Sequence, residues 1–153
     1  MKISEILDPK CVFFSIKSKD KFEIISELVN EVCKVNNLPE KDKIYNEVIK
    51  REKIMSTGVG KGIALPHAKT SFTKNIFAGL ALVDPMIDFE SLDNEPVNII
   101  FLLIGSDANV GLHLRVLSKI SRLMNSDSFR NQLLECTNPQ EVLDLFLKYE
   151  EKF

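Results

Sequence analysis

Apolar residues recur along this chain in two periods, and the periods divide it into elements. Cys11–Ile16 (CVFFSI) reads as a first strand. From about Asp20 to Val35, Phe22, Ile25, Leu28, Val29 and Val32 return every three or four residues, as on one face of a helix. "NNLPE" interrupts that pattern. A second helix, roughly Glu40–Lys53, carries Ile44, Tyr45, Val48 and Ile49. Strands are predicted at Ile63–Leu65, Ile76–Val83 and Val97–Ile104, the last being the continuous apolar run of a strand covered on both faces. After Gly105 a third helix is expected to start near Asp107–Asn109 and to reach about Asn125. A shorter helix, Asp127–Glu135, follows with Ser126 as its cap. The last opens at "NPQE", with Asn138 as N-cap, Pro139 at the first helical position and Glu141 in the first turn. Strands in the middle and helices at both ends place the chain in the α/β (α+β) class. The expectation is one domain over residues 1–153, a three-layer α/β/α sandwich around a mixed sheet.

Composition narrows the function classes. The chain has 153 residues, of which 44% are hydrophobic, enough to fill one core. A formal net charge of −2 gives nucleic-acid binding no electrostatic support. Cys11, Cys33 and Cys136 are distant and odd in number, which suggests neither a zinc cage nor a disulfide framework and fits a reducing cytoplasm. The N-terminus lacks an apolar signal core, and "IIFLLIG" is far too short to insert directly into a membrane.

The candidate chemistry gathers around "STGVGKGIALPHAKT", Ser56 to Thr70. Gly58, Gly60 and Gly62 permit unusual backbone dihedrals and close approach, and successive N–H groups there can form an anion nest. The Walker order of Gly-Lys-Ser/Thr entering a helix is absent, and no strand precedes the glycines as in a dinucleotide fingerprint. By spacing alone, a tight loop and an anion site remain equally open. Pro66 fixes the approach to His67 and pushes Leu65 towards an extended conformation. Neutral imidazole is a nucleophile or base near pH 7. His113 shares a helical face with Val116, Leu117, Ile120 and Met124 and points inward, either as a core histidine or as a second imidazole meeting His67. Two histidines without further ligands make a poor metal site. Arg51 ends the second helix and leans towards its apolar face, with Glu52 nearer the middle of the stripe. A guanidinium there suits either a surface ion pair or phosphate oxygens. Ser56 and Thr57 add hydroxyls beside it.

The assembled order, Arg51-Glu52, Ser56-Thr57-Gly58, Gly60, Gly62-Ile63-Ala64-Leu65-Pro66-His67, then "LDNEPVNIIFLLIG" and "HLRVLSKISRLM", resembles the enzyme IIA domains of the fructose/mannitol class of the bacterial phosphoenolpyruvate:sugar phosphotransferase system. Within that class it is most similar to the nitrogen-regulatory type, over nearly the whole chain. The resemblance implies a phosphoryl carrier with no metal and no cofactor. In that family the histidine after the proline, His67 here, takes a phosphoryl group on Nε2 from the phosphohistidine of HPr or of its nitrogen-branch homologue. Arg51 matches the family's arginine and His113 its second active-site histidine. Arg51, the loop N–H groups of Gly58, Gly60 and Gly62, and the hydroxyls of Ser56 or Thr57 are expected to offset the roughly −1.5 to −2 charges of the phosphoryl group. Lys61 and Lys69 add positive charge, as solvated surface residues or as aids to docking. Three functions follow: a regulatory enzyme IIA acting on target proteins, a transport enzyme IIA feeding a permease IIB domain, or a binding module that has lost phosphorylation.

Overall fold

The computed structural model describes residues 1–17 and 20–152. In chain order the elements are β1 (Leu7–Ile16), α1 (Lys21–Val35), α2 (Lys41–Ile54), β2 (Gly58–Gly60), β3 (Ile63–Ala64), β4 (His67–Thr70), β5 (Phe77–Ile87), β6 (Val97–Ser106), α3 (Val110–Met124), α4 (Asp127–Glu135) and α5 (Pro139–Glu150). A 3-10 turn at Ile3–Glu5 precedes them. The strands form one mixed sheet in the order β1-β5-β6-β3-β2, with β4 also paired to β6. β1 runs parallel to β5, β5 antiparallel to β6, and both β3 and β4 parallel to β6.

The apolar run of β6 lies at the centre, buried along almost all its length. Helices cover both faces of the sheet. A Cβ added to Gly79 would lie 2.8 Å from Val32 Cγ2, so that face packs tightly under α1. On the neighbouring β6 position the opposite face carries Phe101, whose ring lies 6.1 Å from that of Phe146 in α5. α1 and α2 pack together on the first side, and α3, α4 and α5 follow one another on the second. The expected caps are present: Asn138 accepts from Glu141 N–H at 2.9 Å and Ser126 from Phe129 N–H at 3.2 Å. Among the described residues no helix is long and apolar enough to cross a membrane.

The strands differ from expectation in several places, and β5 runs on to Ile87, four residues past Val83. β1 begins at Leu7, four positions before the apolar run. Asp8-Pro9-Lys10 resembles a turn, yet β1 is an edge strand whose register slips between Leu7 and Val12, where a proline is tolerated. β2 and β4 were not expected as strands at all. Each is short, and only pairing to a partner defines it. β3 and β4 lie along the same side of β6, interrupted by Leu65 and Pro66, and that interruption presents the histidine.

Candidate functional site

The break between β3 and β4 sets His67. Proline has no N–H to offer a ladder, so pairing stops there and resumes at His67↔Leu103. The break is itself fastened: Leu65 N–H donates to Thr57 C=O at 2.9 Å, and Leu103 N–H donates to Pro66 C=O at 3.0 Å. His67 Nδ1 lies 2.8 Å from the carbonyl oxygen of Leu65. A carbonyl only accepts, so Nδ1 carries the hydrogen. In the neutral ring the lone pair is therefore on Nε2, and the half-buried imidazole presents its nucleophilic nitrogen away from its own backbone.

His113 meets it from α3. Asn109 caps that helix by accepting from Leu112 N–H at 3.2 Å, which places His113 in the first turn. The two rings have centroids 5.7 Å apart and are tilted by 48°. His113 is 1% exposed, and among the described residues neither of its nitrogens has a hydrogen-bond partner. An unpaired buried donor costs about 1–3 kcal/mol, so His113 is poised to donate to an acceptor that enters the site. Gly105 makes its position available: a Cβ there would lie 2.1 Å from His113 Nδ1. Sequence reasoning used Gly105 only as a helix boundary, although a glycine at the end of a buried strand is the signal of a close approach.

Burial, and then the positive charges of His67 and Lys69, push the His113 pKa down to about 4. Burial also lowers that of His67, aided by Arg51 and Lys69; the Leu65 hydrogen bond and the Glu52 charge oppose it. Both rings are thus neutral near pH 7. Lys69, two residues along β4, shares the side of the strand that His67 faces and stays exposed. Arg51, in the last turn of α2, donates from Nη1 to Met55 C=O at 2.7 Å, and its positive charge acts on His67. Among the described residues, no group of three or more His, Cys, Asp or Glu could hold a metal ion.

The loop residues have other partners than a phosphoryl group. Thr57 gives its hydroxyl to Glu52 Oε1 and its N–H to Glu52 Oε2. Ser56 gives its hydroxyl to Phe89 C=O at 2.6 Å and accepts from Gly58 N–H at 3.0 Å. Gly58 lies against Ser91, whose Oγ would be 2.3 Å from an added Cβ. Lys61 (φ 58°) and Gly62 (φ 79°) are the two central residues of the β2–β3 hairpin, the geometry of a type I′ turn. This turn does hold an anion, but the anion is the chain's own Asp93, whose Oδ2 accepts from Lys61 N–H at 3.1 Å. Ile63 pairs with Ile99 and His67 with Leu103, so the turn lies more than about 13 Å from His67 along β6. The structure therefore brings Arg51, His67 and His113 together and places Gly60 and Gly62 at the far end of the hairpin. Fixed strand pairing separates them, which a reading of spacing alone misses.

The model of the family described as "Phosphoenolpyruvate-dependent sugar phosphotransferase system, EIIA 2" matches residues 5–149. The chain is 32% identical over 151 residues to the "PTS system fructose-specific EIIABC component" of Bacillus subtilis, covering 99% of this chain but only 24% of that protein. It is 30% identical over 142 residues to a "Nitrogen regulatory protein" of Bradyrhizobium diazoefficiens, covering 93% of this chain and 92% of the relative. Among solved structures, "Nitrogen Regulatory Protein IIA-Ntr from Neisseria meningitidis" superposes with a TM-score of 0.89 at 26% identity, covering 94% of this chain and 98% of that one.

Proposed function

The chain belongs to the EIIA 2 family of the phosphoenolpyruvate-dependent sugar phosphotransferase system, and from that premise we propose that His67 accepts a phosphoryl group on Nε2 and hands it on. The observation that carries the reading is the 2.8 Å hydrogen bond from His67 Nδ1–H to Leu65 C=O. It fixes the tautomer whose Nε2 lone pair is free. In the transfer, that lone pair attacks the phosphorus of a phosphohistidine on HPr or its nitrogen-branch homologue. A new N–P bond forms, the donor's N–P bond breaks, and its electron pair returns to the donor imidazole. His67 keeps the proton on Nδ1, and the Leu65 carbonyl stabilises the positive charge that spreads over the ring. The remaining groups offset the charge that arrives. His113 donates from its unpartnered ring to a phosphoryl oxygen, Arg51 presents its guanidinium, and the first turn of α3 adds its N-terminal dipole. Ser56, Thr57 and Gly58 build the frame that holds Leu65 rather than contact the phosphoryl group. Gly60 and Gly62 shape the hairpin.

Incubation with phosphoenolpyruvate, enzyme I and HPr, followed by intact mass, tests this. The wild type gains one acid-labile phosphoryl group and His67→Ala gains none. A wild type that stays unlabelled with a competent cognate donor ends the carrier reading.

The similarity to nitrogen regulatory proteins over nearly their full length favours a cytoplasmic regulator whose phosphorylation state governs target proteins. A second reading draws on the 32% identity to a fructose-specific component: delivery of the phosphoryl group to a permease IIB domain. Rapid discharge of the phosphorylated protein by a purified fructose-type IIB domain favours transport, and its stability to that domain favours regulation.

A further inference from the structure

One buried ion pair beside this site has no part in the chemistry above. Lys21 opens α1 and places its ammonium 3.3 Å from Glu52 Oε2, the two side chains being 6% and 0% exposed. Glu52 follows Arg51 in the last turn of α2. It receives Thr57 N–H at 2.8 Å on Oε2 and Thr57 Oγ1–H at 2.5 Å on Oε1. The Lys21 ammonium and Thr57 N–H can only donate, and the Thr57 hydroxyl takes up the second oxygen, so both oxygens of Glu52 are engaged. Lys21 in turn reaches Phe89 C=O at 3.4 Å and lies 5.2 Å and 5.3 Å from the ring centres of Phe22 and Phe89.

Such a pair is poor evidence of stability, because apolar side chains of similar volume often fill the space as well. A carboxylate does something that they do not: it fixes the main-chain and side-chain donors of one residue at once. That residue is Thr57. Its carbonyl accepts from Leu65 N–H at 2.9 Å, and the Leu65 carbonyl accepts from His67 Nδ1–H at 2.8 Å. We propose that Glu52, neutralised by Lys21, is a positioning residue for phosphoryl transfer: it fixes Thr57, Thr57 fixes Leu65, and Leu65 holds His67 in the tautomer that frees Nε2. The proposal rests on the reading of His67 as acceptor. Lys21 has a necessary part, since an unpaired carboxylate next to the site would repel the incoming phosphoryl group. Free imidazole favours the hydrogen on Nε2, so the ring needs such a frame to adopt the reverse.

The test is Glu52→Gln, which removes the charge that Lys21 pairs with and leaves one accepting oxygen where the carboxylate offers two, with Thr57→Val as a milder second variant that removes a single hydroxyl. The first readout is the 15N shifts of the His67 ring in the unphosphorylated protein. Wild type shows the Nδ1–H tautomer; Glu52→Gln shows a mixture, and Thr57→Val a smaller change in the same direction. The second is the rate of labelling by phospho-HPr, expected to fall roughly tenfold or more in Glu52→Gln at unchanged final stoichiometry. Wild-type tautomer and rate in both variants overturn the proposal. If Glu52→Gln does not fold, Thr57→Val decides alone, and a wild-type tautomer there overturns it. The tautomer is read without phosphorylation. A shifted tautomer in a protein that never takes label therefore supports the link and refutes the acceptor role.

Discussion

Gly105→Ala places one methyl group against the second histidine. The added Cβ would lie 2.1 Å from His113 Nδ1 and about 3 Å from two more ring atoms. Ordinary contact begins near about 3.4 Å, so the imidazole must retreat by more than about 1 Å or β6 must bend. β6 is the central strand, held by pairing on both sides, so the ring yields first. Misplacement of a catalytic group by about 1 Å can cost roughly 10²-fold in rate. Overpacking of this kind costs about 2 kcal/mol, which in a domain of this size lowers the melting temperature by roughly 4–8 °C. The assays are the initial rate of phosphorylation by phospho-HPr and a thermal melt. Because the methyl group acts through His113, the double variant Gly105→Ala/His113→Ala should be no slower than His113→Ala alone. It should also regain part of the lost stability, since alanine leaves the space open. Wild-type rate and melting temperature in Gly105→Ala, or fully additive rate losses in the double variant, would refute the assigned contact.

The buried ion pair predicts that Lys21→Met, by leaving Glu52 charged and unpaired, destabilises the fold by about 3 kcal/mol or more in urea titration, and that Lys21→Met/Glu52→Gln recovers much of it. The His113 pKa of about 4 lies below the ordinary value near 6.5, so the unfolded chain binds that proton first. Stability from this group is complete above about pH 6.5 and is lost as pH falls towards 4, by up to about 3 kcal/mol; His113→Gln should lack that slope in unfolding measurements at varied pH. Arg51→Lys should slow labelling, because an ammonium does not reproduce the guanidinium fork, while the melting temperature changes little.

Elements whose pattern is dictated by their own residues were readable in advance. The periodicity of α1 and α3, the Ser126 and Asn138 caps and the apolar run of β6 are of that kind. β2 and β4 were not, since three or four residues become a strand only when β3 or β6 lies beside them. The same distinction governs the site. A proline before His67 and an inward-facing His113 are visible in the sequence. The Leu65 carbonyl that sets the His67 tautomer is a main-chain atom and leaves no trace in residue type. The glycines pointed to an anion, and the hairpin holds one, but Asp93 arrives from a distant loop. Glu52 stood out only as a charge on an apolar stripe. Its task depends on Lys21, which opens α1, and on Thr57 in the loop that follows α2.

The central claim is that Nε2 of His67 carries the phosphoryl group while Nδ1–H stays on Leu65. Heteronuclear 15N and 31P NMR of the 15N-labelled, phosphorylated protein tests it directly. The account predicts phosphorus coupled to His67 Nε2, with the Nδ1 proton retained and slow to exchange. Phosphorus on His67 Nδ1, on His113, or on no histidine would contradict it.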